Sequence, residues 1–160
     1  MSQQIAASVY MITLNEENNV AESLASVADF AEVIIVDSGS TDRTLAIAEG
    51  FPNVRVFHND WPGFGETKAD AMSRCSQPWG FNLDADELPT EDFLNEVRTL
   101  INTGSHDALE SNRTLIRWGQ QPKNFSKNDR LIRFFRKTCG HYEVRRVHES
   151  ISITGSVTKT

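Results

Sequence analysis

A continuous apolar run at 33–36, with the sequence VIIV, constrains the fold more than any other part of this chain. Its four residues are β-branched and no polar residue alternates with them, so a strand formed here has to be covered on both faces. Strands of this kind belong to parallel sheets that carry helices on either side. The run ends at Asp37, and residues 38–42 are typical of a turn. We therefore expect an α/β protein.

Strand and helix patterns alternate from residue 8 to residue 104. The predicted strands are 8–14, 33–36, 54–57 and 81–84. An apolar helical pattern follows each of them, and the last helix has the clearest limits, with Thr90 as N-cap and Gly104 beyond its end. This order predicts βαβ units and a mostly parallel, Rossmann-like sheet flanked by helices.

The pattern changes after residue 105. Residues 115–118 and 131–135 are predicted strands with no long helix between them, and apolar residues alternate with polar ones from 151 to 157. We expect a smaller, mixed β region here. The last predicted element has barely begun at Thr160, so we expect a chain that stops early, with an ordinary terminal strand as the alternative.

Length and charge limit the functional classes. A chain of 160 residues with 39% hydrophobic residues fits one domain, and a net charge of −6 argues against a nucleic-acid binder. Between Arg113 and Arg146 the charge is reversed, with ten basic residues against two acids. This basic flank is either an ordinary solvated face or a surface for phosphate or an anionic membrane.

Targeting signals are not evident. No apolar run approaches the ~20 residues of a membrane span, and residues 1–8 lack the pattern of a signal peptide. Cys75 and Cys139 lie far apart and are expected to be free thiols in a reducing compartment. These observations predict a cytoplasmic protein.

Polar side chains gather where the predicted strands end. Residues 15–17, Asp37 and the pair Asp84 and Asp86 all follow strands, and ligands of open α/β sheets bind at such ends. Two residues apart on an extended chain, the two aspartates would point the same way and repel unless a cation lies between them. Mg²⁺ or Mn²⁺ suits such oxygen ligands. An acidic loop before a helix is the alternative interpretation.

Four motifs in this order resemble glycosyltransferase family 2: LNEEN at 14–18, IIVDSGSTDRT at 34–44, WPGFGETK at 61–68 and NLDADE at 82–87. The particular residues of these motifs are similar to those of the branch that contains lipopolysaccharide core β-glucosyltransferases. The similarity covers residues 8–110, and a looser match continues through 130–136 to 147–149.

The resemblance implies a GT-A fold, a nucleotide-diphosphate sugar donor and a divalent metal. The nucleotide-sugar site that it implies contains Asn15, Glu16, Asp37, Ser38, Lys68, Asp84 and Asp86. Within that site, Asp37 would bond the base, most simply a uracil imide, and Lys68 would offset phosphate charge. Asp84 would contact the ribose or the metal, and Asp86 would bind the metal that holds the diphosphate.

An inverting transfer also needs a base for the proton of the acceptor hydroxyl. The pattern of the branch assigns this role to Glu149, with His148 as its neighbour or as a metal contact; an ordinary surface pair is the alternative. Candidates for phosphate contacts with an anionic acceptor are Arg113, Arg133, Arg136, Arg145 and Arg146. Trp61 and Phe64 are expected to pack their loop against the core rather than to stack on sugars.

The predicted protein is thus a single GT-A domain over residues 1–160, with a donor-binding half at 1–105 and an incomplete acceptor-binding half at 106–160. It would transfer a hexose, in the first place glucose, from a UDP-sugar to a cell-envelope glycan such as the lipopolysaccharide inner core. Peripheral contact with the inner face of the inner membrane is part of this expectation. Two alternatives are a donor-binding fragment without activity and a nucleotidyltransferase. A nucleotidyltransferase usually has a glycine-rich phosphate loop after its first strand, whereas the loop at 15–18 is acidic here.

Overall fold

A computed structural model describes residues 4–114, 129–143 and 150–160. The strands are β1 Ile5–Thr13, β2 Phe30–Asp37, β3 Val54–His58, β4 Trp79–Asn82, β5 Ala108–Asn112, β6 Arg130–Arg136, β7 Gly140–Glu143, β8 Ser150–Ile153 and β9 Val157–Lys159. The α-helices are α1 Val20–Ser26, α2 Thr44–Ala48, α3 Phe64–Ser73 and α4 Glu91–Thr103. A short 3₁₀ turn, Lys137–Cys139, joins β6 to β7.

Seven strands form one sheet in the order β3-β2-β1-β4-β6-β5-β9. The strands β1 to β4 are parallel, whereas β6 runs antiparallel to β4 and β5. A separate antiparallel pair is formed by β7 and β8. The mostly parallel sheet and the later mixed region are therefore as predicted. Strands β2 and β3 lie on one side of β1, whereas β4 lies on its other side. The loops that follow β1 and β4 therefore lead away from each other and leave a crevice at the carboxyl ends of these two strands.

Each face of the sheet carries its own apolar cluster. Val9 and Phe134 belong to the larger cluster, together with Leu24 of α1 and Val97 of α4. On the other face a smaller cluster packs α3 and the β7–β8 pair against the sheet; its buried members are Tyr10, Ile34, Val36, Ala71, Cys75, Ala108 and Phe135. The VIIV run supplies both clusters, as its lack of alternation predicts.

The limits of α4 follow the expected capping residues. The Thr90 hydroxyl accepts a hydrogen bond from the Phe93 amide at 3.2 Å, and Gly104 adopts the left-handed conformation with φ 60°. Both features satisfy backbone groups that a helix end leaves unpaired. Within the described parts of the chain, no helix is both long and apolar enough to cross a bilayer.

Two local expectations need correction. Strand β5 was not predicted, because only Ala108 and Leu109 in it are apolar; both are fully buried against β6. The strand predicted at 115–118 lies outside the described residues. In addition, β4 ends at Asn82 and residues 85–86 form a turn, so the segment after β4 is not the extended chain that the spacing of its aspartates suggested.

Candidate active site

A cleft of about 490 Å³ opens beside the carboxyl end of β4. Its walls come from α3, from β4 to β6 and from the β7–β8 pair. The polar side chains that line it include Lys68, Asn82, Asp84, Arg133 and Tyr142. The cleft therefore lies next to the crevice that the strand order creates. It contains four of the residues that the sequence singled out, Lys68, Asp84, Arg113 and Arg133.

The loop after β1 is bound tightly to the loop after β2. The Asn15 amide donates to Ser40 Oγ at 2.9 Å, and the Asn15 side-chain oxygen accepts from the Thr41 amide at 2.8 Å. The Glu16 amide donates to Thr44 Oγ1 at 2.8 Å. Asn15 has φ 55°, a left-handed conformation that asparagine tolerates better than most residues. The two motifs thus form one rigid rim.

Asp37 is the anchor of this rim. Its buried carboxylate accepts hydrogen bonds from Thr13 Oγ1 at 2.7 Å, from the Gly39 and Ser40 amides at 2.9 and 2.8 Å, and from Ser40 Oγ at 2.5 Å. Burial alone would raise the pKa of Asp37, but these donors hold it below its usual value. A uracil imide would have to replace one of these donors at Asp37, and that contact stays a prediction.

Two further residues of the predicted nucleotide-sugar site, Glu16 and Ser38, are also engaged locally. Ser38 Oγ donates to Asn59 Oδ1 at 3.2 Å, and the Glu16 carboxylate accepts from Asn19 Nδ2 at 3.0 Å. Their side chains therefore stabilise loop geometry at the edge of the sheet. Their contacts with a nucleotide stay predictions.

The centre of the cleft is an ion-pair network around Asp84. Lys68 Nζ lies 3.1 Å from Asp84 Oδ1, and Arg133 Nη2 lies 3.2 Å from Asp84 Oδ2. Lys68 is buried to 4% exposure, so its charge needs a partner of this kind. Burial would raise the pKa of Asp84, but Arg133 and Lys68 hold it below the usual value. The structure thus brings Lys68 and Asp84 together, and their contacts with a donor stay predictions.

Glu87 completes this network, although its sequence position alone does not distinguish it from ordinary solvated acids. Its carboxylate accepts from Arg133 Nη2 at 2.8 Å and lies 3.6 Å from Arg113 Nη1. Burial, and then the nearby charge of Asp84, outweigh these arginines and raise the pKa of Glu87. The sequence signal that could have identified Glu87 is its position three residues after Asp84 at a strand end. A turn at 85–86 brings the two carboxylates close to each other.

Asp86 differs from Asp84 in its surroundings. It is exposed at the turn and forms no ion pair within the described ranges. No group of three or more His, Cys, Asp or Glu side chains that could hold a metal ion occurs in that part of the chain. The oxygen chemistry of Asp84 and Asp86 nevertheless fits a hard cation, since Mg²⁺ is usually held by one or two carboxylates with phosphate and water oxygens completing its shell.

A buried amide gives a second sign that the cleft is built for a polar ligand. Asn82 ends β4, is 8% exposed, and lines the cleft. Its Oδ1 has no hydrogen-bond partner in the described structure. A buried acceptor left in this state is costly unless a ligand or water supplies a donor. The sequence did not single out Asn82.

Several arginines of the basic flank pair with acids in the part of the chain that the structure describes. Arg113 pairs with Asp129 at 2.7 Å, and Arg136 pairs with Asp107 at 3.2 Å while stacking over the Trp79 ring. Arg113 and Arg133 also line the cleft, so these ion pairs do not decide whether the three arginines contact phosphate, and those contacts stay predictions. Arg145 and Arg146 lie outside the described residues, as do the predicted base Glu149 and its neighbour His148.

The aromatic residues of the loop at 61–68 do not pack into the core. Trp61 and Phe64 are 38% and 58% exposed, and they contact each other edge to face with ring centroids 4.7 Å apart. Trp61 has φ 55°, which is strained for a bulky residue. The expectation that these rings fasten the loop to the core is therefore wrong.

The chain has the GT-A fold of glycosyltransferases, as two solved structures show. TarS residues 1–349 of S. aureus share the fold with a TM-score of 0.66 at 21% identity, covering 83% of this chain and 47% of that one. Glucosyl-3-phosphoglycerate synthase of Mycobacterium tuberculosis shares it with a TM-score of 0.56 at 26% identity, covering 71% and 45%. The chain belongs to glycosyl transferase family 2, whose sequence model matches residues 8–153.

Among curated proteins, the chain is similar to glycosyltransferases of other bacteria. The chain is 34% identical, over 98% of its length, to the lipopolysaccharide core biosynthesis glycosyltransferase LpsC of Rhizobium meliloti (strain 1021). It is 33% identical, over 81% of its length, to an uncharacterized glycosyltransferase of Rickettsia conorii. It covers 61% and 48% of those proteins, so it spans about half to three fifths of their length. Membership of this family decides against the nucleotidyltransferase alternative.

Proposed function

We propose that this chain carries the donor-binding part of a metal-dependent, inverting hexosyltransferase that uses a UDP-sugar, in the first place UDP-glucose. The acceptor would be a sugar of the lipopolysaccharide core or another cell-envelope glycan. The observation that carries the donor assignment is the pair of a buried lysine and Asp84 at the cleft, two residues before the exposed carboxylate of Asp86. Such a site offers both cationic and anionic groups to a nucleoside diphosphate and its counter-ion.

The comparisons support the substrate classes without fixing them. Solved structures of TarS include complexes with UDP and with UDP-GlcNAc. The mycobacterial synthase was solved with Mn²⁺, UDP and glucosyl-3-phosphoglycerate. The name of LpsC refers to lipopolysaccharide core biosynthesis. A UDP-sugar donor, a divalent cation and a core-glycan acceptor are therefore the first substances to test with this chain.

The proposed chemistry assigns a task to each group. Asp86 and Asp84 would hold the divalent ion, which when bound supplies a positive charge against the diphosphate leaving group. Lys68 adds a fixed cation beside them. Glu149 would take the proton of the acceptor hydroxyl as that oxygen bonds to the anomeric carbon and the bond to the diphosphate oxygen breaks. His148 would orient Glu149 or contact the ion.

Acceptor chemistry also bears on location. A lipopolysaccharide core acceptor is attached to lipid, so the protein would work at the inner face of the inner membrane as a peripheral protein. We propose this location from the acceptor class alone. Cosedimentation with vesicles that contain acceptor lipid, compared with vesicles that lack it, measures this association directly.

Calorimetric titration of UDP and UDP-glucose, with Mn²⁺ and with a chelator, tests the donor site. The natural chain is expected to bind in the presence of Mn²⁺, and Asp86→Ala to weaken this binding by at least about tenfold. Glu96→Ala is the matched control, because Glu96 is an exposed acid on α4, away from the strand ends. Absence of binding by the natural chain, or equal losses in both variants, would contradict the proposal. A transfer assay then distinguishes an active enzyme from a chain that binds donor only.

A further inference from the structure

One arginine of the second half of the chain reaches the loop after β4. Arg133 lies in β6, yet its Nη2 is 3.2 Å from Asp84 Oδ2 and 2.8 Å from Glu87 Oε1. Its side chain is 12% exposed. A single nitrogen thus bridges two carboxylates that come from opposite sides of the turn at 85–86.

An irregularity of the sheet places Arg133 there. Along the β5–β6 ladder Leu109 pairs with Phe134, but the next residue, Glu110, pairs with Ile132. Arg133 is therefore the extra residue of a β-bulge. Bulges redirect a side chain and are frequent beside active sites. In a regular ladder, Arg133 would pair with a residue of β5, and its side chain would point to the face of the sheet opposite to those of Phe134 and Ile132.

The surroundings of Arg133 point to more than a generic ion pair. Both of its contacts use Nη2, and its guanidinium lines the same cleft as Asn82 and Lys68. A guanidinium has five N–H donors, so the N–H groups of Nε and Nη1 are left for a ligand in the cleft. Meanwhile Lys68 approaches the other oxygen of Asp84. The carboxylate is thus held from two sides.

We infer that Arg133 is a positioning residue of the donor site: it fixes the carboxylates of Asp84 and Glu87 at the cleft before the donor binds. This inference rests on the proposed function, since it concerns the same site. Without Arg133, Asp84 and Glu87 would repel each other with only Lys68 and the more distant Arg113 to oppose them. The turn between them would then sample several arrangements, and the donor would have to select one.

Arg136 provides a matched control on the same strand. It also pairs with one acid, Asp107, and stacks over Trp79, but it does not line the cleft. Arg136→Gln should lower stability through lost packing and a lost ion pair. It should leave donor affinity unchanged. A purely structural role for Arg133 would give the same result for Arg133→Gln.

The test is calorimetric titration of UDP and of UDP-glucose, each with and without Mn²⁺, into the natural chain and both variants. Arg133→Gln is expected to bind UDP-glucose about tenfold more weakly than Arg136→Gln at equal folded fraction. Arg133→Lys should recover most of the loss, because one nitrogen makes both contacts. Thermal melts of each variant report the folded fraction.

The outcomes separate this inference from the proposed function. If the natural chain binds no UDP-sugar, the proposed function fails and the inference with it. If the natural chain binds but Arg133→Gln binds equally well, only the inference is overturned. Should Arg133→Gln not fold, the double variant Arg133→Met with Glu87→Gln removes one cation and one of the repelling acids together. Donor affinity in that variant equal to that of Glu87→Gln alone would also overturn the inference, because Arg133 would then contribute nothing to holding Asp84.

Discussion

Lys68 Nζ lies 3.1 Å from Asp84 Oδ1, and this pair connects α3 to the loop that leaves β4. The lysine is buried, so the pair is not one of the exposed surface contacts that contribute little to stability. It joins two sequence motifs that lie on separate elements. A change to either residue should therefore affect the fold and the cleft at once.

Lys68→Met is expected to lower the free energy of unfolding by about 2 kcal/mol, because it leaves the buried side of Asp84 without its nearest cation. This loss is smaller than the loss expected for a buried ion pair with no other partner, since Arg133 still pairs with the other oxygen of Asp84. Urea unfolding of Lys68→Met, Asp84→Asn and the double variant measures the coupling, which should reach about 1 kcal/mol. Lys159→Met, at an exposed pair with Glu110, should change stability by less than about 0.5 kcal/mol. If the effects of Lys68→Met and Asp84→Asn on the free energy of unfolding were additive, the prediction that these two residues stabilise each other would be wrong.

Asp37→Asn should loosen the turn that follows β2. An asparagine has one acceptor oxygen, whereas the carboxylate accepts from four donors, so at least one buried donor would face an amide NH₂ group. We expect a loss of about 1–3 kcal/mol in the free energy of unfolding. Hydrogen exchange at the Gly39 and Ser40 amides should become faster. Asp60→Asn, at an exposed site, is the control; equal exchange in both variants would show that Asp37 does not hold the turn.

The fold could be predicted largely because its strong signals are local. The unbroken VIIV run, the capping residues of α4 and the regular alternation of elements each depend on neighbours in sequence, and the structure bears them out. Strand β5 was not predicted because three of its five residues are polar, and its two apolar residues are buried only by pairing with a distant strand.

The candidate site was predictable only in part for a similar reason. The motifs place Lys68 and Asp84 in one predicted site, and the structure brings these two side chains together, while their contacts with a donor stay predictions. The ion pair between Glu87 and Arg133 could not be predicted, since it depends on a turn at 85–86 and on a bulge in β6. Charge counting alone could not show which arginines pair with acids, because Arg113 and Arg133 meet their acidic partners only in the folded chain.

The two thiols should differ in reactivity. Both cysteines are free, as predicted, but Cys75 is 5% exposed whereas Cys139 is partly exposed. Burial raises the pKa of the Cys75 thiol to about 12, so little of it is thiolate at neutral pH. A disulfide reagent at pH 8 should label one thiol quickly in the folded chain and two in urea. Cys139→Ser should remove the fast phase; a fast phase that persists would show that Cys75 is accessible.

A buried glutamate makes stability depend on pH in the acid range. Glu32 accepts hydrogen bonds from Ser8 Oγ at 2.5 Å, from the Ser76 amide and from Arg55 Nη2 at 2.7 Å. Burial alone would raise the pKa of Glu32, but these donors lower it from 4.5 to about 2. Since the pKa is lower in the folded state than in the unfolded chain, the stabilisation is fully present above about pH 5 and is lost as the pH falls toward 2.

Glu32→Gln isolates this contribution from that of the other acids. The difference in the free energy of unfolding between the natural chain and the variant should be on the order of 3 kcal/mol at pH 7 and should shrink steadily between about pH 5 and pH 2. Urea unfolding at a series of pH values measures it. Glu96→Gln, at an exposed site on α4, should give a small difference that does not change with pH. A Glu32→Gln difference that stayed constant from pH 7 to pH 2 would mean that these hydrogen bonds do not depend on the charge of Glu32.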